Sequence, residues 1–505
     1  MHDSAASIWT KLNGLRQPFL RRCENYAELT IPSLCLREGF DQLSMDQAHD
    51  YQSIGAQAVN HLTNKMMMAL FKPTRPFFRG DLSDEAKKSI AAEGLDESVV
   101  VGSLGKIERD AIRVLDQKAV RPKLYTAVRN LIALGNVLLD LSDDPRVIGI
   151  RHFCVKRTAD GRLHTGIIEE MMCFDELPEE VQAVLPKVYN RDAKCKLYKL
   201  IQIGAGGDYV LTQWVDHHRL PEEFDGKWPE AKLPYRFLTW NLSDEADYGT
   251  GLVEEYVGDF EAVSTLAEAI VNGAVLGTEF RWMVSPTGMT DVEDVRKSQN
   301  GDALPGKPED LEPVQGGNPK AISIADTVMG RYEKRIAFGF LMNSLVTRDA
   351  ERVTAEEVRM VAQELESAFG GTYSSLGVTL QLPMAHWLLD QIDVKIGSTL
   401  VTITVVTGLD ALSRGGDLEN LRLAFGDLTQ VFTAVPPELQ GRIKFKELVD
   451  YIGNGRNIDL SPFIKSDEEF AQWQQQQQAA RVQESNATEA GAATAQAVAQ
   501  GTPQQ

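Results

Sequence analysis

One heptapeptide in the sequence has the spacing of a phosphate-binding loop. Gly301-Asp-Ala-Leu-Pro-Gly-Lys307 matches the first seven positions of Gly-x-x-x-x-Gly-Lys-[Ser/Thr], in which backbone amides hold phosphate and the last hydroxyl binds Mg²⁺. The eighth position is Pro308, which has neither a hydroxyl nor an amide proton, and Pro305 removes another donor. No buried strand is predicted before the motif and no helix after it, so we expect no nucleotide site here.

Other residue types suited to catalysis or metal binding do not form recognisable sets. His217 and His218 are adjacent, so their side chains diverge on a strand or a helix, and no pair of histidines or cysteines has metal-ligand spacing. The Gly-x-Ser-x-Gly motif of a nucleophile elbow is absent. We therefore predict that the protein is not an enzyme and needs no cofactor or metal. An enzyme such as a nuclease or an ATPase is the competing class.

Acidic residues dominate the charge of the chain. Seventy-two Asp and Glu against 52 Lys and Arg give a net charge of −20, which argues against a protein that grips nucleic acid over its whole surface. Within 251–280 every charged residue is acidic, and no Lys or Arg occurs before Arg281. A solvated helix face and a surface that is kept negative both explain this pattern. The acids are Glu254, Glu255, Asp259, Glu261, Glu268 and Glu279.

A second group of charged residues surrounds position 350. It contains Arg348, Glu351, Arg352 and Arg359. Ordinary surface ion pairing is the reading that the residues alone favour, and such pairs contribute little to stability. The functional alternative is a loop whose arginines meet phosphate while neighbouring acids limit the affinity.

Length and composition indicate a globular protein, with 505 residues, 43% apolar and 25% charged. We predict an α+β fold that is mainly helical. Residues 1 to about 140 have helical periodicity, and 145–245 form a β-rich section with hairpins. The predicted helices of the first part cover about 52–70, 104–117 and 122–135. The predicted strands cover 147–155, 165–172, 196–203, 209–216 and 235–240.

The second half is predicted to begin with two long amphipathic helices, 251–280 and 319–345, around an irregular insertion at 281–318. The later elements are a helix from 354 that ends at Gly370-Gly371, a helix at 373–391, a strand region at 392–405 and helices at 411–470. We expect the Gln- and Ala-rich residues 471–505 to be disordered beyond a first helical stub. No apolar run approaches the ~20 residues of a membrane span, and no signal peptide is recognisable. The five cysteines are expected to be reduced thiols in a cytosolic product.

Several segments resemble the head-to-tail connector (portal) family of short-tailed bacteriophages, and the likeness covers about residues 5–470. The segments are Tyr51-Gln-Ser-Ile-Gly-Ala-Gln-Ala-Val-Asn-His61 with Lys65, Ala69-Leu-Phe71 and Arg75-Pro-Phe-Phe78; Asp247-Tyr-Gly-Thr-Gly-Leu-Val-Glu-Glu-Tyr256; 301–310; Arg352-Val-Thr-Ala-Glu-Glu-Val-Arg359; and Gln381-Leu-Pro383. The false phosphate-binding loop falls in one of them. The Gln-rich tail is not part of the resemblance.

The resemblance implies a portal fold with wing, stem, clip and crown regions, assembled as a dodecameric ring around a channel. By position, 1–250 would be the wing, 251–280 and 319–345 the stem helices, and 281–318 the clip. Residues 346–410 would hold the channel loop and the remaining wing, and 411–470 the crown inside the capsid.

The resemblance also implies a non-enzymatic conduit at a capsid vertex of the virion, assembled in the host bacterial cytoplasm, through which double-stranded DNA is packaged and ejected. The portal would nucleate procapsid assembly, contact scaffolding and major capsid proteins, and bind the large terminase subunit and later tail or adaptor proteins, with no membrane partner. A scaffolding or internal virion protein without a channel role is the alternative. The DNA-channel candidates are Arg348, Arg352, Arg359 and Glu351, the acidic stem candidates Glu254, Glu255, Asp259, Glu261 and Glu268, and the clip docking candidates Arg296, Lys297, Lys307 and Asp310.

Overall fold

The computed structural model has two compact units, Met1–Leu409 and Asp410–Gln505. It describes residues 4–40, 45, 50–71, 76–83, 86, 97–185, 194–204, 206–278, 280–303, 305–315, 319–342, 355–392, 401–405 and 426. All but the last of these belong to the first unit. The predicted helices at 411–470 and the tail at 471–505 therefore lie outside the described residues, apart from position 426.

The first unit is α+β and mainly helical, as predicted. Its described α-helices are α1 (Ala5–Leu15), α2 (Gln17–Leu29), α3 (Ile54–Leu70), α4 (Glu97–Gln117), α5 (Val120–Leu134), α6 (Glu179–Val184), α7 (Leu252–Glu255), α8 (Val257–Thr278), α9 (Val292–Lys297), α10 (Pro319–Gly339), α11 (Ala355–Leu376) and α12 (Leu382–Gln391). A π-helical turn, Gly377–Gln381, joins α11 to α12.

The strands form small antiparallel sheets. They are β1 (Phe78–Leu82), β2 (Asn136–Asp140), β3 (Arg146–Ile148), β4 (Phe153–Arg157), β5 (Leu163–Cys173), β6 (Lys194–Ile203), β7 (Tyr209–Val215), β8 (His218–Arg219), β9 (Gly226–Trp228), β10 (Tyr235–Thr239), β11 (Phe280–Val284), β12 (Leu311–Gln315) and β13 (Val401–Val405). The order β4-β5-β6-β7-β8, with β9 also on β7, makes the largest sheet in the described ranges. The others are β10-β2-β3, β1-β13 and β11-β12.

Helices α3 and α5 lie at the centre of the main core. Ala58, Leu62 and Met66 of α3 and Leu124 and Leu131 of α5 are fully buried, because apolar residues recur on one face of each helix. Helix α5 ends at Gly135, whose φ of +75° is the left-handed conformation that glycine adopts without a Cβ clash. The backbone of 249–251 packs so closely on Gly135 that a side chain there would not fit.

A buried arginine joins the N-terminal helices to the largest sheet. The Arg16 side chain, 4% exposed, donates hydrogen bonds to the carbonyls of Ile150 (2.5 Å), Arg151 (2.8 Å) and Phe153. Its Nε donates to Asn13 Oδ1 at 3.0 Å. Because burial of a guanidinium is tolerated only when its donors are satisfied, these bonds fix the position of α1 and α2 on the sheet.

Several predictions from periodicity are confirmed. Helices α3 and α5 and strands β5, β6, β7 and β10 lie within two residues or so of their predicted bounds, which is the usual uncertainty of element ends.

The five cysteines are free, and Cys173 is the one that is not fully buried. Burial raises the pKa of the Cys35 thiol to about 11 and of the Cys154 thiol to about 12, which favours the neutral form.

Other predictions were wrong in the first half of the chain. Residues 1–140 are not purely helical, because they include β1 and β2. Strand β1 pairs with β13, which is more than 300 residues away, so no local pattern could reveal it. The predicted strand 147–155 is divided by a 3-10 turn, Ile150–His152. Helix α4 begins at Glu97, earlier than the predicted 104.

The second half also differs in detail. The helix that was expected to end at Gly370-Gly371 continues to Leu376 and only kinks at Phe369, where φ is −129°. Glycine costs a helix about 1 kcal/mol without stopping it, and the Phe369 ring packs edge-on against Trp240 at 5.7 Å. The predicted strand region 392–405 is confirmed for β13, whereas Ile392 instead caps α12, and 393–400 lie outside the described residues.

Candidate functional site: the paired helices and their hairpin

Helices α8 and α10 form an antiparallel pair that is joined by a β-hairpin. Asp259, in the first turn of α8, lies 3.4 Å from Arg335 in the last part of α10. At the other end, Gly273 of α8 faces Ile322 of α10. Strands β11 and β12 continue from these ends and pair antiparallel. Within its described residues, the insertion at 281–318 thus contains a two-stranded hairpin and a short helix, where the sequence predicted an irregular segment.

The base of the pair is closed by aromatic side chains. The ring of Phe340, just after α10, lies 5.5 Å from that of Tyr256 and 5.7 Å from that of Phe260, both edge-on. Tyr256 also interrupts the helix predicted at 251–280, dividing it into α7 and α8. Gly339 is small enough to let Tyr256 pack against the α10 backbone. These contacts anchor the pair in the main core.

The far half of the pair exposes apolar side chains. On α8, Val271 is 48% exposed, Val275 56% and Leu276 51%, and on α10 Ile324 is 65% exposed. Adjacent exposed apolar residues on a folded chain are typical of a surface that contacts another protein.

The composition of α8 corrects the expectation that no segment approaches the length of a membrane span. Of the helices that the structure describes, this 22-residue helix alone is long and apolar enough to cross a membrane. One such helix does not indicate a membrane protein, because helices of soluble proteins can have the same length and composition. Asp259, Glu261 and Glu268 also interrupt its apolar surface with charge.

Three of the five predicted acidic residues have partners on other elements. Glu254 lies 3.8 Å from Arg22, and Glu261 accepts a hydrogen bond from Asn25 Nδ2 at 3.2 Å. Asp259 pairs with Arg335 as described above. Burial, reinforced by the Glu254 carboxylate, raises the pKa of Tyr26 to about 12. Arg22 of α2 and Arg335 of α10 thus compensate one acid each on α7 and α8, so these helices are less negative than their own sequence indicates.

The other two acids are Glu255 and Glu268. Both are exposed, and neither has an ion-pair partner within 4 Å among the residues that the structure describes. Together with Glu261, whose partner Asn25 is neutral, they are the predicted stem residues whose charge is left for interaction with solvent or another molecule.

The hairpin carries the predicted docking residues. Arg296 and Lys297 lie on the exposed short helix α9, and both pair with Glu293, at 3.6 and 3.2 Å. Lys307 is exposed as well, while its backbone amide donates to Thr290 Oγ1 at 3.3 Å. Arg296, Lys297 and Lys307 are the basic residues of 285–310, which also contains six acidic residues, so the hairpin carries exposed cations within a segment that is negative overall.

Asp310 has a structural part in the hairpin. Its Oδ2 accepts hydrogen bonds from the Met289 amide and from Thr290 Oγ1, both at 3.0 Å, and its carbonyl accepts from the Ser285 amide at 2.9 Å. The carboxylate is thus engaged within the chain. Gly306 of the false phosphate-binding motif packs against Thr290, so this motif closes the hairpin tip.

The predicted channel residues Arg348, Glu351 and Arg352 lie outside the described residues. Arg359 is in α11, and its side chain is likewise not described. The prediction for these four residues is therefore not tested.

The structure describes α10, which precedes the predicted channel residues, and α11, which follows them. The buried side chain of Lys65, on α3, contacts Leu341 just after α10 and Glu364 of α11, and sequence reasoning did not single it out as functional. A lysine between the fully buried Leu62 and Met66 was the signal that could have identified it.

The residues considered for metal or nucleophile chemistry stay apart. His217 lies in the turn between β7 and β8 and His218 is the first residue of β8, and both are exposed. Within the described ranges, no group of three or more His, Cys, Asp or Glu side chains could hold a metal ion.

Comparison with known proteins identifies the family. The model of the family described as "Bacteriophage head to tail connecting protein" matches residues 2–463. The chain is 32% identical to the portal protein of Enterobacteria phage SP6, covering 93% of this chain and 91% of the relative. It is 31% identical to the portal protein of Pseudomonas phage phiKMV, covering 97% of each.

Solved structures give a weaker likeness. The "Neck of native GTA particle computed with C12 symmetry" is 13% identical, with a TM-score of 0.35 over 76% of this chain and 97% of that chain. At this TM-score the likeness adds nothing to the description of the fold. The family match covers most of the chain, and the relatives are matched over nearly their whole length. The chain therefore belongs to the family of bacteriophage head to tail connecting proteins.

Proposed function

We propose that this protein is the portal subunit of a short-tailed phage, a non-enzymatic conduit for DNA at one vertex of the capsid. The observation that carries the proposal is the family match over residues 2–463, together with relatives named portal protein at 31–32% identity. In this reading α8 and α10 are the stem, the β11–β12 hairpin is the clip and the sheets with their flanking helices are the wing. Residues 411–470 would be the crown.

Assembly into a closed ring of twelve subunits accounts for the exposed apolar residues of the helix pair. A ring is built from one heterologous contact repeated around an axis, so each subunit needs two different lateral surfaces. Val271, Val275 and Leu276 on α8 and Ile324 on α10 would be covered by neighbouring subunits. Burial of such side chains contributes roughly 25 cal/mol per Å².

The charge distribution supports a channel that DNA passes without adhering. Glu255 and Glu268 would repel the phosphate backbone, while the arginines at 348 and 352 would hold it at one level of the channel. Contacts between arginine and phosphate weaken as salt rises, so retention would be salt-dependent.

The hairpin tip would bind the packaging terminase and later a tail or adaptor protein. Arg296, Lys297 and Lys307 are exposed cations on this hairpin and would pair with carboxylates of the partner, although the segment as a whole is acidic. ATP hydrolysis would belong to the terminase. Scaffolding and major capsid proteins would contact the ring when it nucleates the procapsid in the host cytoplasm.

A DNA packaging assay tests this function. Procapsids are assembled with the wild-type protein, with the Arg296→Glu/Lys297→Glu double variant, or with Lys11→Glu as a control at an exposed position of α1. We expect the double variant to form rings but to protect at least tenfold less DNA from nuclease, while Lys11→Glu packages normally. Packaging in procapsids that lack the protein altogether would overturn the proposal.

A further inference from the structure

A buried lysine connects three helices at the base of the helix pair. Lys65 of α3 is 3% exposed. Its Nζ donates to the carbonyl of Leu341, just beyond α10, at 2.7 Å, and to Glu364 Oε2 of α11 at 3.0 Å. His61, one turn earlier on α3, places Nε2 3.1 Å from the same Leu341 carbonyl.

The residue that receives these bonds has an unusual backbone conformation. Leu341 has a φ of +56°, in the left-handed region that a leucine rarely adopts. The adjacent turn is closed by hydrogen bonds from the Phe340 amide to Ile336 O and from the Met342 amide to Ala337 O. Such a conformation persists only where the surroundings hold it, and here Lys65 and His61 hold its carbonyl.

The buried charge restricts how the helices can be arranged. An ammonium group inside a protein is strongly disfavoured unless it is paired and hydrogen-bonded. Two of its partners come from different elements, the end of α10 and α11, whereas Lys65 sits on α3 between the fully buried Leu62 and Met66. Moving either element away from α3 would remove a partner from the buried ammonium.

We propose that Lys65 is a positioning residue that couples the end of α10 to α11, so that a displacement of the helix pair is transmitted to α11. Lys65 makes two contacts in this connection: one with Glu364, whose side chain is partly exposed, and one with the carbonyl of Leu341. The functional meaning rests on the proposed portal function, in which the helix pair is part of the channel wall. The coupling itself is a property of the chain and can be tested without DNA.

Hydrogen exchange with mass spectrometry on the full-length assembled protein tests the coupling. The variants are Lys65→Met, Glu364→Gln and the double variant. Lys156→Met is the matched control, because Lys156 also lies 3.0 Å from a carboxylate, that of Asp247, but is exposed. We expect Lys65→Met to speed exchange at least about fivefold in both 336–342 and 360–366, because both segments lose a stabilising contact.

The double variant separates coupling from simple loss of stability. If Lys65 connects the two segments, Glu364→Gln alone speeds exchange in 336–342 as well as in α11, and adds nothing once Lys65 is replaced. Glu364→Gln keeps the side-chain shape at a half-exposed site, so it remains informative if Lys65→Met does not fold. Additive effects, or a response to Glu364→Gln that is confined to α11, would overturn the proposal while leaving the portal function intact.

Discussion

The Nη1 atom of Arg335 lies 3.4 Å from the Oδ1 atom of Asp259, across the two antiparallel helices α10 and α8. The pair shows that an acid on an all-acidic segment can be compensated by a cation more than 70 residues away. Glu254 is compensated in the same way by Arg22 of α2. The charge that α7 and α8 leave for another molecule is therefore concentrated at Glu255, Glu261 and Glu268, because Asn25, the partner of Glu261, is neutral.

This distinction predicts different effects for two substitutions on one helix. Glu268→Lys places a cation on an exposed position of the proposed channel wall, so we expect several-fold less packaged DNA, with the defect largest at low salt. Asp259→Asn removes a charge that is already paired, and we expect packaging within about twofold of wild type. Nuclease-protected DNA, measured at two salt concentrations, checks both. Equal effects of the two changes would contradict this assignment.

Two glycines of α10 should respond in opposite directions to alanine. A methyl group on Gly339 would collide with the Tyr256 ring, and we expect Gly339→Ala to destabilise the chain by about 1–3 kcal/mol. A methyl group on Gly330 would meet no other atom within 4 Å, so Gly330→Ala should stabilise α10 by up to about 1 kcal/mol. Thermal unfolding of both variants measures the difference. If Gly339→Ala is as stable as wild type, Tyr256 does not pack tightly against the end of α10.

Replacing Arg16 should release the N-terminal helices from the sheet. Arg16→Met leaves three carbonyls without their donor, and we expect a loss of about 2–4 kcal/mol in the free energy of unfolding. Arg21→Met, on the exposed face of α2, should change it by no more than about 0.5 kcal/mol. Urea unfolding followed by circular dichroism compares the two variants. Similar unfolding midpoints for Arg16→Met and Arg21→Met would show that Arg16 does not hold the N-terminal helices on the sheet.

The stability of the chain should fall on mild acidification, in part through His61. Burial, and then the Lys65 ammonium, lower the pKa of His61 below its ordinary value of 6.5. The unfolded chain then binds a proton that the folded chain does not, so this contribution is lost as pH falls through 6.5 towards the folded pKa. His61→Gln keeps a donor for the Leu341 carbonyl without titrating.

The measurement is denaturant unfolding at pH 7.5 and at pH 5.5. Wild type should lose more stability between the two values than His61→Gln does. If the variant loses as much as wild type, His61 has no part in the pH dependence.

Much of the fold could be predicted from local pattern. Helices α3, α5, α8 and α10 have apolar residues at helical spacing, and β5, β6 and β7 are bounded by turn residues, so sequence sufficed to locate them. It did not show that the helix predicted at 251–280 is divided at Tyr256, or that the one predicted at 319–345 ends at Gly339. Strands β1 and β13 could not be paired, because their contact spans more than 300 residues. The break predicted at Gly370-Gly371 lies one residue from the kink at Phe369, and the helix then continues to Leu376. Local pattern did not show that the Phe369 ring packs on Trp240, which is distant in sequence.

The candidate site was predicted less completely than the fold. The acidic residues were identified by type, but their partners Arg22, Asn25 and Arg335 come from other helices and only the folded chain brings them together. Asp310 was predicted as a docking candidate, which stays a prediction, but the bonds by which its carboxylate holds the hairpin could not be read from the sequence. Lys65 was noted only as part of a family segment, since its partners at 341 and 364 are distant in sequence.

The central claim, that this chain forms a ring with a channel, is tested most directly by negative-stain electron microscopy of the purified protein together with its mass by light scattering. The account predicts closed rings of about twelve subunits with a central hole. A monodisperse monomer at low and high salt, with measurable ATPase or nuclease activity, would contradict it.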